Sequence, residues 1–583
     1  MSLTNREIAD IFETSANMLQ IKGEDRFRWL SYQRAAETIR ELPRSLQAIA
    51  AEGELENLPG IGKVLADKIR EMLETGRLEF YDRLSEEVPP GVVEMLEING
   101  VGSKTAATFW QELEITTIQS LKQAAEEKQL RKLNGLGAKT EEKILRGIEA
   151  LEKRQTDRTP LYKAQPTAER ILQTLLEMPE VTRGEIAGSI RRARPTIGDV
   201  DLLVASDDPI AVMERFATLD EVEQVLARGE TKTSVVLLSG LQVDLRVLPE
   251  DRFGTALQYF TGSQHHNIRV REIALEAGYS LNENALVPVG ADGELQPEKA
   301  IACATEAAVY EKIGLPWVAP EMRENNGEIE AAKRDKLPTL IKLGDIVADL
   351  HMHSTYSDGS LTVREMAEAA KARGRQYICI TDHSRSLTIA NGLSIERLQD
   401  QAEEVRQVNE AMGGDFTVFH GTEMDINADG SLDYPDEVLA ELDFVVASLH
   451  VSLDQDQETM TERLLNAVRN PHVDLIGHPR GQLIGSRPPA AWDAERVFEA
   501  AAESGVALEI NANPRRLDLE ARLARRAMEM GIPIAINTDA HSAEQMDLHD
   551  YGVRTARRAW LSPEGVINTW PLGKFRAWIE ARG

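Results

Sequence analysis

The sequence predicts a multidomain α/β protein in which a helical N-terminal part precedes parts that combine strands and helices. A chain of 583 residues is long enough for several domains, and its 42% hydrophobic and 28% charged residues are typical of globular proteins. Apolar residues recur at helical spacing in the first 150 residues, whereas strand-like and helix-like stretches alternate after Gly344. Such alternation is typical of a parallel sheet, either as a barrel or doubly wound.

The helical part repeats one short motif three times, in which an apolar residue, a Gly-x-Gly turn and a helix start follow one another. Glycine lets a backbone approach closely, and amides at a helix N-terminus hold phosphate. One copy would indicate an ordinary tight turn, but three copies favour contact with a nucleic-acid backbone. The motifs resemble helix-hairpin-helix elements, which bind DNA without reading its sequence. The glycines concerned are Gly60, Gly62, Gly100, Gly102, Gly135 and Gly137.

Charge and cysteine content exclude several classes of protein. The net charge of −30 argues against a strongly basic nucleic-acid surface, although backbone amides can bind phosphate without one. Two cysteines, Cys303 and Cys379, exclude a disulfide framework and a cysteine zinc site, which suits a reducing cytosol. The sequence has no apolar run that would span a bilayer, and its N-terminus does not resemble a secretion signal. We therefore expect a cytoplasmic protein without membrane contact.

The central candidate site combines carboxylates with a phosphate-binding pattern. Asp199 and Asp201 are two residues apart on an expected strand, so their side chains should share a face and attract divalent metal. The Gly188-Ser189 turn, followed by arginines, favours phosphate. A D-x-D pair alone is a weak signal, because surface strands often end in solvated aspartates. Asp244 supplies a third carboxylate in a hairpin expected over 233–248, which favours two-cation phosphoryl or nucleotidyl transfer.

These residues resemble the palm of the family X DNA polymerases, the family of DNA polymerase beta. The matching segments are Gly188-Ser189, Arg192, 198–201, 243–246 and 259–263. The resemblance implies that Asp199, Asp201 and Asp244 are catalytic and hold two Mg²⁺ or Mn²⁺ ions. It also implies a nucleotide site and, near the template strand, one arginine. These residues are Gly188, Ser189, Arg192, Tyr259, Phe260, Gly262 and Asn267 for the nucleotide and Arg271 for the template.

The order of parts agrees with the same family, in which a helix-hairpin-helix domain and fingers precede the palm and a small thumb follows. Residues 321–345 are charged and contain few large apolar side chains, which favours a linker. The expected boundaries are 1–85 for the N-terminal domain, 86–155 for the fingers, 156–252 for the palm, 253–320 for the thumb, 321–345 for the linker and 346–583 for the last domain.

Two features depart from the family pattern. Gln264 and His266 stand where the vertebrate enzyme has other residues against the base, which affects fidelity and sugar selection. Lys68 matches the lysine that forms a Schiff base with an abasic sugar, yet basic residues expected around it are replaced. The replacements are Phe27, Glu56 and Phe80. A Schiff-base amine needs a depressed pKa, so Lys68 is either a lyase nucleophile or an ordinary surface lysine.

The last domain carries a second set of candidate ligands, which follow the predicted strands. Asp382 stands beside one of them, and six of the eleven histidines belong to the set. Imidazole and carboxylate without cysteine suit Mn²⁺, Zn²⁺ or Fe²⁺, and nine ligands suffice for two or three metals. The nine are His351, His353, Asp358, His383, Glu423, His450, His478, Asp539 and His541.

This set resembles the PHP (polymerase and histidinol phosphatase) domain, a distorted seven-stranded βα barrel with a trinuclear metal centre. The resemblance implies three metal positions, with Glu423 shared between two, and metal-dependent phosphoester hydrolysis. Arg480 and Arg515 are candidates for substrate phosphate, with a surface role equally compatible. By resemblance the sets are His351, His353, Glu423 and Asp539; Glu423, His450 and His478; and Asp358, His383 and His541.

The two resemblances together predict a monomeric, nucleoid-associated repair polymerase that uses dNTPs on gapped or primer-template DNA. Its PHP domain would be a 3′→5′ exonuclease, a 3′-phosphatase or an endonuclease at abasic sites. One alternative is a phosphatase of the histidinol-phosphatase type, tethered to a non-catalytic DNA-binding half. Another is a non-catalytic DNA-binding scaffold. The carboxylate triad and the Tyr-Phe-Thr-Gly-Ser segment favour the polymerase.

Overall fold

The chain forms two compact units, Met1–Arg158 and Thr159–Gly583. The computed structural model describes residues 5–41, 46–51, 53–58, 60–98, 101–113, 115–133, 136–137, 139–145, 147–148, 158–290 and 292–582. Among these residues, no helix combines the length and the apolar character needed to cross a bilayer.

The first unit is helical and is built around one hydrophobic cluster, as its apolar spacing predicts. Ile8, Phe12 and Leu19 are buried in the first helix and pack in the same cluster as Tyr32 and Ile39 of the second. The helices are Asn5–Ile21, Arg26–Glu41, Leu46–Ala51, Lys63–Thr75, Glu79–Glu87, Pro90–Glu94, Ser103–Leu113 and Ile118–Glu126.

The described residues of the three Gly-x-Gly motifs make hydrogen bonds of the same kind. The amides of Ile61, Val101 and Leu136 each donate to the carbonyl three residues earlier, at 3.1, 2.9 and 3.2 Å. In each motif the carbonyl of the second glycine then accepts a helical bond, at 3.0, 2.9 and 3.1 Å. The described parts of the three segments therefore share one hydrogen-bonding pattern. Gly100 and Gly135 lie outside the described residues.

A five-stranded mixed sheet forms the palm, and its two central strands run parallel while their outer neighbours are antiparallel. The hairpin predicted over 233–248 is present, and Gly240 adopts φ +81° in its turn. Helices Leu161–Leu176 and Pro209–Ala217 pack on buried residues of this sheet. In spatial order the strands are Val181–Ile186, Val200–Ser206, Gln242–Leu248, Lys232–Leu237 and Val222–Arg228.

The thumb follows the palm and includes part of the segment in which the sequence favours a linker. Arg323 and Glu328 are fully buried there, and Ile329 belongs to the hydrophobic cluster of the thumb. Arg323 donates to Glu306 at 2.6 Å, so a buried ion pair anchors a segment with few large apolar side chains. The thumb elements are helices Phe253–Thr261, Gln264–Glu276, Glu306–Lys312 and Glu328–Lys333 and strands Tyr279–Leu281 and Leu286–Pro288.

The last domain is a nearly closed barrel of seven parallel strands that follow chain order, which confirms the predicted fold. The amide of His353 donates to the carbonyl of Ala540 at 2.9 Å, which joins the segments that follow the first and last strands. The helices predicted between strands are present, including Val363–Ala372 and Ile395–Met412. The strands are Ala348–Asp349, Tyr377–Ile380, Thr417–Asp425, Phe444–Ser448, Leu475–Gly477, Ala507–Asn511 and Ile534–Asn537.

This domain also contains further helices, which lie between the strands or after the last one. Helix His549–Arg558 also contacts the palm. The others are Asp436–Leu439, Gln457–Val468, Ala494–Ser504, Ala521–Glu529 and Leu572–Glu580.

The carboxyl group of Asp474, at the start of a barrel strand, should make stability depend on pH. Burial raises its pKa to about 6, despite a hydrogen bond from the backbone N–H of Val445 and an ion pair with Arg582 at 3.3 Å. Because the folded-state pKa exceeds the unfolded value, the stabilising effect of the protonated form is present below about pH 4 and is lost as the pH approaches 6.

We expect Asp474→Asn to gain stability relative to the unchanged protein by roughly 2–3 kcal/mol between pH 4 and pH 7, because an amide cannot ionise. Denaturant titrations of both proteins at the two pH values measure this difference. A difference that does not change with pH would contradict the assignment to Asp474.

Candidate active sites

Three carboxylates meet at one end of the palm sheet. Asp201 and Asp244 lie opposite each other in the register of the two parallel strands. Asp199 precedes the strand, which begins at Val200, so it lies in the adjoining turn and not within the strand. Gly188 adopts φ +59°, and a Cβ atom there would lie 2.3 Å from Oδ2 of Asp201. Only glycine therefore allows its turn to approach this carboxylate so closely.

The electrostatics of this cluster fit a divalent cation site. Burial, and then the charges of Asp199 and Asp244, raise the pKa of Asp201 to about 7. Burial also acts to raise the pKa of Asp244, but hydrogen bonds from Lys232, Gln242 and others outweigh it and lower the pKa. Crowded carboxylates are stabilised by a shared proton or by cations. The donor set therefore fits the Mg²⁺ or Mn²⁺ that the resemblance implies.

Residues 188–194, which we call the phosphate turn, lie beside these carboxylates. Arg191 makes a bidentate pair with Glu306, both bonds at 2.8 Å. Arg192 donates from Nε to Glu324 at 3.1 Å and from Nη1 to a carbonyl of the thumb. Nη2 of Arg192 has no hydrogen-bond partner in the described part of the chain, so this fixed side chain keeps donors for an anion. Ser189 is half-buried at the start of the turn.

The predicted nucleotide residues of the thumb adjoin this turn. The Tyr259 and Phe260 rings make an edge contact at 5.1 Å, and Phe260 lies 4.0 Å from the guanidinium of Arg246. A Cβ atom at Gly262 would lie 2.9 Å from Nη1 of Arg192. Asn267 donates to the carbonyl of Tyr259 at 2.6 Å. The palm and thumb segments are thus brought together, as the resemblance implies.

The structure places His266 away from any surface that a base could contact. Its side chain is fully buried, and its ring nitrogens bond Glu328 at 2.7 Å and Tyr310 at 2.8 Å. His266 therefore links the thumb helix to the segment after it. Gln264 and Arg271 are exposed. The sequence around His266 does not show whether this side chain is buried or faces a base, because its partner Glu328 is 62 residues away.

The predicted DNA-binding glycines and Lys68 belong to the first unit. Gly62, Gly102 and Gly137 are exposed, and an added Cβ atom would meet nothing within 4 Å, so the hairpins face open space. Lys68 is half-buried, with Nζ 4.1 Å from the centre of the Phe80 ring.

The surroundings of Lys68 lower its pKa. Burial is the main cause, and the cations Arg83 and Arg28 add to it, while Glu71 opposes the shift. Lys68 therefore keeps basic neighbours although Phe80 replaces a basic residue, because Arg28 and Arg83 both lie within 6 Å of the Phe80 ring.

Nine side chains converge at the carboxyl ends of the barrel strands, and they are the nine predicted PHP ligands. Each has a donor atom in a group whose donor atoms all lie within 4.8 Å of one another. Glu423, His351, His353 and His383 each belong to two groups. The groups are His353, Asp358, His383 and His541; His351, His353 and Asp539; His351, Glu423 and His478; and His383, Glu423 and His450.

Glu423 is at the centre of this cluster. Its buried carboxylate lies 2.8 Å from His478, 2.9 Å from His383, 3.2 Å from His450 and 3.3 Å from His351. Burial acts to raise the pKa of Glu423, but the neighbouring imidazoles outweigh it and lower the pKa well below its ordinary value. Glu423 is thus an ionised carboxylate able to bridge cations.

The cluster also contains buried polar atoms that lack a hydrogen-bond partner among the described residues. A buried polar atom without a partner costs about 1–3 kcal/mol, so this set fits metal coordination. Imidazole and carboxylate donors without cysteine suit Mn²⁺, Zn²⁺ or Fe²⁺. The atoms include Nε2 of His351, Nδ1 of His353, Nδ1 of His383 and Oε2 of Glu423.

Two further carboxylates, which the sequence reasoning missed, orient the histidine ligands. Glu509 accepts from Nδ1 of His351 at 2.9 Å and from the backbone amide of His478 at 2.7 Å. Asp425 bonds Nδ1 of His450 at 2.5 Å. Such bonds fix the ring and the tautomer that face a metal. A charge inside a buried strand needs a partner, and the criterion that identified Asp244 also identifies Glu509.

Neighbouring carboxylates set the direction in which the pKa of His450 is shifted. Burial acts to lower the pKa of His450, but Glu423 and Asp425 outweigh it and raise the pKa to about 10.

Asp382 has a different role from its neighbour His383. It accepts from the amide of Ser354 at 2.8 Å and from its hydroxyl at 2.6 Å, and so fixes a loop outside the ligand groups.

The two arginines proposed for substrate phosphate are directed elsewhere. Arg480 pairs with Glu520 at 3.1 Å, and Arg515 lies 5.7 Å from the Tyr162 ring. Arg516 lies near the candidate metal ligands, with Nε 3.6 Å from Asp539. The arginine beside the candidate ligands is therefore the one that follows the predicted Arg515 in the chain.

Family models match four parts of the chain. Residues 3–78 match the helix-hairpin-helix domain and residues 92–150 the SAM-like helix-hairpin-helix tandem. Residues 256–324 match the DNA polymerase beta thumb, and residues 349–513 match the PHP domain. The palm carboxylates lie between the second and third of these matches.

Among curated proteins, the DNA polymerase/3′-5′ exonuclease PolX of Bacillus subtilis is 40% identical over 577 residues, which cover 99% of both chains. The chain belongs to the PolX family of DNA polymerases. Membership of the PolX family agrees with the order of the matched parts, in which helix-hairpin-helix domains precede the polymerase beta thumb and the PHP domain follows.

Other relatives match separate parts of this PolX family chain. DNA polymerase lambda of Rattus norvegicus is 29% identical over 349 residues, which is 55% of this chain and 56% of the relative. A probable phosphatase of Caldanaerobacter subterraneus is 34% identical over 248 residues, which is 41% of this chain and 92% of the relative. The phosphatase relatives match only the PHP half.

Proposed function

We propose that the chain is a DNA-directed DNA polymerase that fills short gaps in base excision repair and trims 3′ ends with its PHP domain. The observation that carries this proposal is the close approach of the phosphate turn to Asp201, one of the three palm carboxylates. An isolated carboxylate cluster would be compatible with many metal sites, but Gly188 brings the turn against Asp201. Alignment with a polymerase/exonuclease over 99% of the chain supports the same activity.

In the polymerase site, Asp199, Asp201 and Asp244 would hold two Mg²⁺ or Mn²⁺ ions. When bound, such ions stabilise the attacking and leaving oxygens of phosphoryl transfer. Ser189 and Arg192 would bind the triphosphate. In the thumb, Tyr259, Phe260 and Gly262 would line the sugar pocket and Asn267 would face the base, while Arg271 would lie near the template.

In the PHP domain, the nine converging ligands would hold two or three divalent ions and support 3′→5′ exonuclease activity. When bound, such ions activate water and polarise a phosphoester. We assign substrate-phosphate contact to Arg516, because its guanidinium adjoins Asp539. A 3′-phosphatase or an abasic-site endonuclease uses the same chemistry, so substrate tests must include these ends.

The first unit would hold the duplex through its exposed hairpins, which contact the phosphate backbone without reading sequence. We propose that the protein acts as a monomer on gapped or primer-template DNA at the nucleoid. Backbone amides make this binding compatible with a net charge of −30.

The decisive experiment is primer extension and primer degradation on a gapped duplex with Mg²⁺ or Mn²⁺. We expect dNTP-dependent extension and, without dNTPs, loss of 3′ nucleotides. A small phosphoester is the matched control substrate for the phosphatase alternative. Fast hydrolysis of that ester without extension or degradation of DNA would contradict the proposal.

Lys68 provides a test of an additional lyase step. Because its pKa is lowered, more of this amine is neutral near pH 8 than for an ordinary lysine, and the neutral fraction increases as the pH rises. We expect borohydride to trap a covalent adduct with abasic DNA, more at pH 8 than at pH 6. The adduct should be lost in Lys68→Ala.

Lys128→Ala is the control for this test, because Lys128 is an exposed lysine of the same unit. It should form the adduct as the unchanged protein does. An adduct of equal yield in Lys68→Ala would assign the amine to another residue.

A further inference from the structure

A helix of the PHP domain contacts the phosphate turn of the palm. Helix His549–Arg558 carries three arginines in its last two turns. Arg554 donates from Nη2 to the carbonyl of Ile190 at 2.6 Å, and Arg558 donates from Nη1 to the carbonyl of Arg192. Two guanidinium groups from one domain thus bond backbone carbonyls of the turn that adjoins the palm carboxylates.

Glu324 joins the same contact to the side chain of Arg192. Its carboxylate accepts from Arg558 at 3.0 Å and from Arg192 at 3.1 Å, and Arg194 lies 3.8 Å away. The side chains of Glu324, Arg192 and Arg558 are only 14%, 14% and 11% exposed. These ion pairs are therefore shielded from water. The strength of a shielded ion pair depends more on its geometry than that of an exposed pair does.

We propose that Arg558 of the PHP domain is a positioning residue for the polymerase site, acting through Glu324 and the phosphate turn on Arg192. This inference rests on the proposed nucleotide-binding role of Arg192. The PHP domain would thereby complete the triphosphate site of the palm, in addition to carrying its own metal cluster.

The expected effect follows from how Glu324 divides its bonds. With Arg558 present, Glu324 shares its charge between guanidinium groups, and Arg192 keeps Nη2 for a phosphate oxygen. Without Arg558, the carboxylate faces fewer cations and competes more strongly with the triphosphate for Arg192. The carbonyl of Arg192 also loses a donor, so the turn is less fixed.

The test compares Arg558→Ala with Arg557→Ala. Arg557 lies on the same helix but pairs with Glu321 at 2.7 Å and with the carbonyl of Ile341. We expect Arg558→Ala to raise KM for the incoming nucleotide about 5- to 10-fold while kcat changes less than about twofold, because a contact to bound substrate weakens. Exonuclease activity should not change. Arg557→Ala should keep the nucleotide KM of the unchanged protein.

A double-mutant cycle with Arg192→Ala distinguishes positioning from general damage to the domain contact. If Arg558 acts through Arg192, its removal should have little further effect on nucleotide KM in the Arg192→Ala background. Arg558→Gln replaces Arg558→Ala if the alanine variant does not fold, and Arg558→Lys should partly restore the nucleotide KM.

Three results would overturn the inference: an unchanged nucleotide KM in Arg558→Ala, an equal increase in Arg557→Ala, or an effect of Arg558→Ala that is fully additive with Arg192→Ala. Nucleotide insertion by the unchanged protein separates failure of the proposed polymerase function from failure of the proposed role of Arg558. If the unchanged protein inserts no nucleotide, the proposed polymerase function fails before the role of Arg558 is examined.

Discussion

Asp244→Ala should reduce nucleotide insertion on a gapped duplex by roughly 10³-fold or more and leave 3′→5′ degradation unchanged. Asp244 is directly opposite Asp201 in the palm sheet and is paired with Lys232. Removing it leaves Asp201 and Asp199 without the third donor that two cations need. Single-turnover insertion and exonuclease rates, measured on the same DNA, test the separation.

Asp207→Ala is the matched control for Asp244→Ala, because Asp207 is an exposed carboxylate just after strand Val200–Ser206. It should retain both activities. We expect Asp199→Ala to reproduce the loss of insertion. Equal loss of both activities in a folded Asp244→Ala protein would refute the two-site assignment.

Glu423→Gln should have the opposite effect: it should reduce exonuclease activity by roughly 10³-fold or more and preserve insertion. Glu423 lies within 3.6 Å of five histidines and belongs to two of the ligand groups, so one substitution affects both groups. The amide keeps the size of the side chain but removes the negative charge that would bridge cations. We also expect less bound metal by elemental analysis of the purified protein.

Glu441→Gln is the control for this substitution, because Glu441 is an exposed carboxylate of the same domain. It should retain exonuclease activity and metal content. His353→Ala should resemble Glu423→Gln, since His353 belongs to two ligand groups. Retained exonuclease activity in both Glu423→Gln and His353→Ala would exclude the cluster as the nuclease site.

Much of the fold was predictable because its signals are local. The helices Val363–Ala372 and Ile395–Met412 end where their apolar periodicity ends, and the described residues of the three Gly-x-Gly motifs share one hydrogen-bonding pattern. The segment 321–345 carries no such local signal of its burial. Arg323 and Glu328 are buried by pairing with residues far along the chain, and charged residues with distant partners resemble exposed ones in a sequence.

The candidate metal ligands were predictable for a related reason. In a barrel of parallel strands, residues at the carboxyl ends of the strands meet at one face, so their chain positions suffice to group them. Glu509 and Asp425 were missed because their role is to orient ligands, and that role depends on which ring nitrogen they contact. The choice between Arg515 and Arg516 likewise depends on the local backbone.

By itself, the sequence identified the candidate chemistry of this protein: three carboxylates near a glycine-serine turn, nine histidine and carboxylate residues that could hold metals, and three glycine motifs that could bind a phosphate backbone. Residue type and spacing carry that information because metals and phosphates select donors by kind and number. Only the tertiary structure revealed that Arg558 of the PHP domain contacts the phosphate turn of the palm. The bond joins residues 366 positions apart, and such a contact depends on how two folded domains pack.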